Sequence, residues 1–147
     1  MTVTFTEQYT TMSDRDDWRL GPWDREPLDK AVWVHNGYDC MIKRNGLGAW
    51  CGYVAVKGGH PLYGKDYFDI YGPMETLSYS AECTGDICHL ADDGEHVWWF
   101  GIDAANGYND FPSKWAMGHH YCTQEEMVKK VMAMANNIES WESLAED

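Results

Sequence analysis

The chain contains no apolar run near the ~18 residues that a membrane-spanning helix requires, and it is poor in basic side chains. Among 147 residues, 11 Lys and Arg stand against 24 Asp and Glu, for a formal net charge of −13. A field of that sign repels phosphates, so direct DNA or RNA binding is not expected. No Gly-x-Ser-x-Gly elbow, Walker loop or dinucleotide fingerprint occurs, which removes the common signatures of esterases, NTPases and dehydrogenases. The opening residues, MTVTFTEQYTTMSDRDDW, hold no basic region followed by an apolar stretch. They do not read as a signal peptide, and the expected compartment is the cytoplasm. Five cysteines is an odd count. In that compartment they read as thiols, not as a disulfide framework. Internal repeats and low-complexity tracts are also missing.

Aromatic side chains are in excess: 8 Trp, 9 Tyr and 4 Phe make up 14% of the chain. Trp and Tyr bury large areas while keeping a polar handle, so they serve both cores and contact surfaces. Most of the indoles are expected in the core, with two or three left for recognition. The length fits one domain, 1–147.

Residues 1–30 read as a loop-rich arm with a possible short strand, Val3 to Tyr9. The segment GPWDREP reads as an ordered loop anchored by Trp18 and Trp23. Three strand-like runs follow, Ala31 to His35, Tyr38 to Arg44 and Leu47 to Lys57, separated by Asn36-Gly37 and Asn45-Gly46. Asn-Gly between apolar runs is a strong hairpin signal, so an antiparallel meander is predicted. A two-residue turn at Asn45-Gly46 would set Cys40 directly opposite Cys51 as two buried thiols. Thr76 to Glu82 and Val97 to Ala104 are further strands. Residues 58–75 read as a glycine-punctuated loop with a possible helical turn at Lys65 to Phe68, and Asn106 to Tyr121 as irregular chain. Thr123 and Glu126 form a capping box. Beyond it, Met127, Val131, Met134, Ile138, Trp141 and Ala145 recur at helical spacing, which predicts a helix over 123–146. The expected fold is α+β: a five- to six-stranded antiparallel sheet with a long C-terminal helix packed on one face.

The stretch from Gly46 to Gly72 interleaves seven glycines with six aromatic rings, one His, two Lys and two Asp. Such a mixture suits a recognition loop, because bare backbone can approach a ligand beside flat faces. Planar bases stack on aromatic rings, while Lys, Arg and backbone N–H groups hold phosphates. The candidate ligand-binding residues are His60, Tyr63, Lys65 and Tyr67 in the loop and Trp99 and Asp103 on the adjoining strand, with Lys57 and Arg44 for phosphate. Other constellations carry less. Cys83, Cys88 and His89, joined by His119, His120 or Cys122, could hold zinc, but no metal is assigned. Ser78 or Ser80 with His60 or His89 would make a nucleophile–base pair. Asp66, Asp69 and Asp103 could hold a divalent cation or act as acid and base, the first two sharing a face if their turn is helical. No catalytic residue and no cofactor is assigned.

The strings WCGYVAV, GHPLYGKDY, ICH and WWFGID together resemble a family of small cytoplasmic accessory proteins encoded by tailed phages and prophages. The resemblance spans roughly Gly21 to Asp110. This chain departs from that pattern at Tyr71, where the family has His, and at Ala104 and Asn106, where it has Cys and His. The resemblance implies a phage gene acting in the host cytoplasm. It carries no established chemistry.

Two functional readings follow, with an enzyme third. In the first, a phage-type counter-defence protein sequesters a small nucleotide-derived immune signal in an aromatic, lysine-bearing pocket. Enclosure of that kind favours a homo-oligomer. In the second, an acidic protein imitates nucleic acid to block a host defence factor. Its carboxylates would be Asp14, Asp16 and Asp17; Asp92, Asp93 and Glu95; and Glu139, Glu142, Glu146 and Asp147. A small hydrolase using His60, His89 or Asp103 is the third.

Overall fold

The structure is a computed structural model that describes residues 5–10, 15, 18–45, 48–66, 70–71, 77, 79–82, 97–103, 109–110, 112, 120–138 and 142–143. Its strands are β1 (Glu7–Tyr9), β2 (Lys30–His35), β3 (Tyr38–Arg44), β4 (Trp50–Lys57), β5 (Ile70–Tyr71), β6 (Tyr79–Glu82), β7 (Val97–Asp103), β8 (Asn109–Asp110), β9 (His120–Tyr121) and β10 (Glu142–Ser143), with helix α1 (Gln124–Asn137) between the last two. Six strands pair antiparallel in the order β1-β2-β3-β4-β7-β6. The expected α+β class, sheet and helix are all present.

The β2–β3 hairpin forms as the Asn-Gly signal predicts. His35 pairs with Tyr38, and Asn36 and Gly37 take φ of 55° and 83°, the left-handed pair of a type I′ turn. The second Asn-Gly behaves differently. Arg44 pairs with Trp50, leaving a five-residue loop instead of a two-residue turn. The Asn45 side chain holds this loop by accepting the Ala49 N–H at 3.1 Å, while the Asn45 backbone N–H donates to the Ala49 carbonyl at 2.9 Å. Cys40 therefore faces Val54, and Lys43 faces Cys51. The predicted Cys40–Cys51 pairing is incorrect, and the two thiols lie on opposite faces of the sheet.

Strand alternation splits the interior in two. Trp33, Cys40, Ile42, Trp50, Val54, Val56, Phe100 and Ile102 face α1, whereas Val32, Met41, Cys51, Tyr53, Ala55, Val97 and Trp99 form the core of the other face. The central strands are thus apolar on both sides, and β4 is buried throughout except for Lys57. Helix α1 sits directly on Gly52, where an added Cβ would come within 2.5 Å of Val131 and 2.7 Å of Met127.

Thr123 caps α1 by accepting the Glu126 N–H at 3.1 Å. Met127, Val128, Val131, Met132, Met134 and Ala135 are its buried face. The helix ends at Asn137, well short of the predicted 146, and Glu142–Ser143 pairs instead with Ile70–Tyr71. The asparagines explain the stop. Asn137 turns its amide back onto the Ala133 carbonyl at 2.7 Å, and Asn136 reaches across to His35 Nε2 at 2.8 Å. Such side chains compete with continuation of the helical ladder. Trp141 and Ala145, offered as its last apolar positions, lie outside the described residues.

Candidate functional site

The two ends of the sheet have opposite characters. At the end where β3 meets β4, Arg44 is fully buried on the helix side. Its five N–H donors are all used. Nε donates to the Leu28 carbonyl at 3.2 Å, and Nη1 to the Gly48 carbonyl at 2.7 Å and the Tyr121 hydroxyl at 3.0 Å. Nη2 reaches the Glu26 carbonyl at 3.4 Å and Oε1 of the same residue at 3.3 Å. The guanidinium lies 4.1 Å from the Trp50 ring and 5.1 Å from Trp18, and Arg15 stacks on Trp18 at 4.5 Å. Glu26 Oε1 also accepts from Tyr121 Oη at 2.5 Å and Trp50 Nε1 at 3.2 Å. Its Oε2 takes the first N–H of α1, from Gln124, at 2.9 Å. Asp29, 1% exposed, accepts from Arg15 at 2.6 Å. The predicted phosphate role of Arg44 is therefore corrected. No donor remains for a ligand, and the residue ties the N-terminal arm, the sheet and the start of the helix together.

At the other end, where Lys57 pairs with Val97, the chain folds three consecutive turns. The N–H groups of His60, Tyr63 and Lys65 donate to the carbonyls of Lys57, His60 and Leu62 at 3.1, 3.0 and 3.1 Å. Gly59 and Gly64, third residues of the first and last turns, take φ of 92° and 80°, which a type II turn demands and glycine supplies. Pro61 occupies the second position of the middle turn, where its fixed φ fits. Buried Leu62 anchors this loop in the helix-side core. His60 Nδ1 accepts the Leu62 N–H at 3.1 Å, and Trp98 Nε1 donates to the Lys65 carbonyl at 2.9 Å.

Four half-buried rings gather here. His60 meets Tyr38 edge-on at 5.9 Å, and Tyr63 tilts against Trp98 at 6.1 Å. Tyr38 and Trp98 belong to strands on either side of β4, and Val56 lies between them. Lys57 is exposed at the edge of this group, and Lys65 is partly so.

Of the predicted residues, the structure brings together Lys57, His60, Tyr63 and Lys65. Trp99 does not join them. It is fully buried on the opposite face from its neighbour Trp98, because adjacent strand residues point to opposite sides. Asp103 lies five positions beyond Trp98 along β7, about 17 Å away at the usual rise, beside Cys51 and within 3.5 Å of the Asn45 amide. It therefore cannot act with His60 in one hydrolytic centre. Tyr67 lies outside the described residues, as do Asp69, Ser78, Cys83, Cys88, His89 and His119. The side chains of all the carboxylates named for nucleic-acid imitation lie outside them too. Sequence reasoning missed Tyr38 and Trp98. Alternation along WWF, set against the register of β4, is the signal that separates the two tryptophans.

Two of the thiols, Cys40 and Cys51, are held in the protonated form by their surroundings. Burial pushes Cys40 up to about 12, and burial with the Asp103 carboxylate alongside does the same to Cys51. Burial also raises Tyr53 and Tyr121 above the usual phenol range.

No protein-family model, curated protein or solved structure matches this chain.

Proposed function

We propose that this protein is a non-enzymatic binding protein that captures a small nucleotide-type ligand at the loop end of the sheet. The observation that carries the reading is the cluster of Tyr38, His60, Tyr63 and Trp98, half-buried beside a loop closed by three hydrogen-bonded turns. Rings already fixed by packing lose little freedom when a planar base stacks on them, and base–aromatic stacking contributes about 1–3 kcal/mol per base. Lys57 and Lys65 supply the positive charge that an anionic ligand needs on a chain of net charge −13. Sequestration of a host immune signal on behalf of a phage is the role that fits the family resemblance, and enclosure by a second subunit would complete the site.

The test is thermal unfolding with and without a panel of nucleosides and nucleotides, linear and cyclic. A ligand present at a hundred times its Kd stabilises the folded state by about 2.7 kcal/mol, which raises the midpoint visibly. Trp98→Ala and Tyr63→Ala should remove the shift. An unchanged midpoint across the whole panel would end this reading.

A further inference from the structure

Resting on that reading, we propose that the ligand carries a phosphate, and that this group seats on the exposed backbone of Gly58-Gly59 beside Lys57. Gly59 needs to be glycine because its φ is 92°. Gly58 has no such reason. Its φ lies outside the left-handed region, and an added Cβ would meet nothing within 4 Å. Neither conformation nor packing calls for a missing side chain there, and what the omission leaves is bare backbone open to close approach.

The hydrogen bonding of the loop points the same way. The N–H groups of His60, Leu62, Tyr63 and Lys65 all have acceptors within the loop. Among the described residues, no protein acceptor takes the N–H of Gly58 or Gly59. Lys57, exposed and making no ion pair among the described residues, precedes these two amides directly. Two amide donors and one ammonium are a suitable set for a tetrahedral oxyanion. The long-range field of the chain opposes any anion. A preference for the phosphorylated form therefore has to come from a local seat and not from general charge.

The experiment compares a nucleoside, its monophosphate and inorganic phosphate on the full chain by isothermal titration, using the base that gives the largest thermal shift. The monophosphate should bind about tenfold more tightly than the nucleoside, the value of one charge-assisted hydrogen bond. Inorganic phosphate should compete with the monophosphate but not with the nucleoside. In Gly58→Ala and Lys57→Gln the ratio of the two affinities should fall toward one. Should Gly58→Ala fail to fold, Lys57→Gln carries the test alone. Equal affinities in the wild-type chain would overturn the phosphate seat while leaving the planar-ligand reading intact. A preference that survives both substitutions would place the anion elsewhere and overturn it as well. Failure of every compound to bind would remove both proposals.

Discussion

Replacing Arg44 with Met tests whether the buried guanidinium is part of the architecture. The substitution keeps much of the stem volume but deletes five donors. The carbonyls of Glu26, Leu28 and Gly48 each lose a partner, and Glu26 and Asp29 lose the cation that faces both of them. The two carboxylates are not left bare, since Tyr121, Trp50 and Gln124 still donate to Glu26 and Arg15 to Asp29. Breaking a buried pair typically costs about 3–5 kcal/mol, against a total of about 5–15 kcal/mol for a domain of this kind. With a urea m-value near 2 kcal/mol/M, the midpoint should fall by about 2 M. Arg44→Lys should recover little of this, because one ammonium cannot span acceptors arranged around a planar fork. Combining Arg44→Met with Glu26→Gln should cost less than the sum of the two, by about 1 kcal/mol or more. A loss below about 1 kcal/mol for Arg44→Met, or a variant that folds normally and no longer binds nucleotide, would refute the reasoning and return Arg44 to the ligand.

Three further outcomes are expected. Gly52→Ala should destabilise by about 1–3 kcal/mol in the same urea assay, because the new methyl must displace Val131 or Met127 on α1. Thr123→Ala should cost about 1 kcal/mol through loss of the helix cap, and Thr123→Asp should restore it. Cys40 and Cys51 should resist alkylation in the folded chain at pH 8. Both are raised from 9.0 to about 12, so above pH 9 the unfolded chain releases protons that the folded one retains. Stability should therefore fall as pH rises between about 9 and about 12, by up to about 1.4 kcal/mol per pH unit for each thiol. Urea titrations at pH 8 and pH 10 measure the slope, which Cys51→Ala should make shallower.

Much of the fold was readable because its signals are local. Asn36-Gly37 fixes one hairpin through backbone conformation alone, and the span of β3 follows from it. Thr123 and the apolar spacing after it mark where α1 begins and which face it buries. What failed depended on competition between distant or side-chain partners. Asn45-Gly46 carries the same dipeptide as the first turn, yet the Asn45 side chain closes a wider loop and shifts every pairing of β3 with β4. The end of α1 was hidden because Ile138 continues the apolar stripe while Asn136 and Asn137 turn their amides to other acceptors. The role of Arg44 was hidden for a related reason. Its acceptors come from Glu26, Leu28, Gly48 and Tyr121, which no sequence spacing brings together.

The tryptophans decide where a planar ligand could bind. Six of the eight indoles are described, and Trp23, Trp33, Trp50 and Trp99 are almost wholly enclosed. Their faces are spent on packing, and in Trp33 and Trp99 even the N–H is sealed away without an acceptor among the described residues. Trp18 is half-buried, but the guanidiniums of Arg15 and Arg44 already stack on it. Trp98 alone among the six is both partly exposed and grouped with Tyr38, His60 and Tyr63 beside a lysine-bearing turn. Its own N–H is fixed to the Lys65 carbonyl, so ring and loop are held as one unit. A rigid indole of that kind should report its ligand directly. Fluorescence quenching that disappears in Trp98→Phe, with the melting midpoint little changed, would locate the bound base on this ring. Quenching that persists in the variant would move it to another tryptophan.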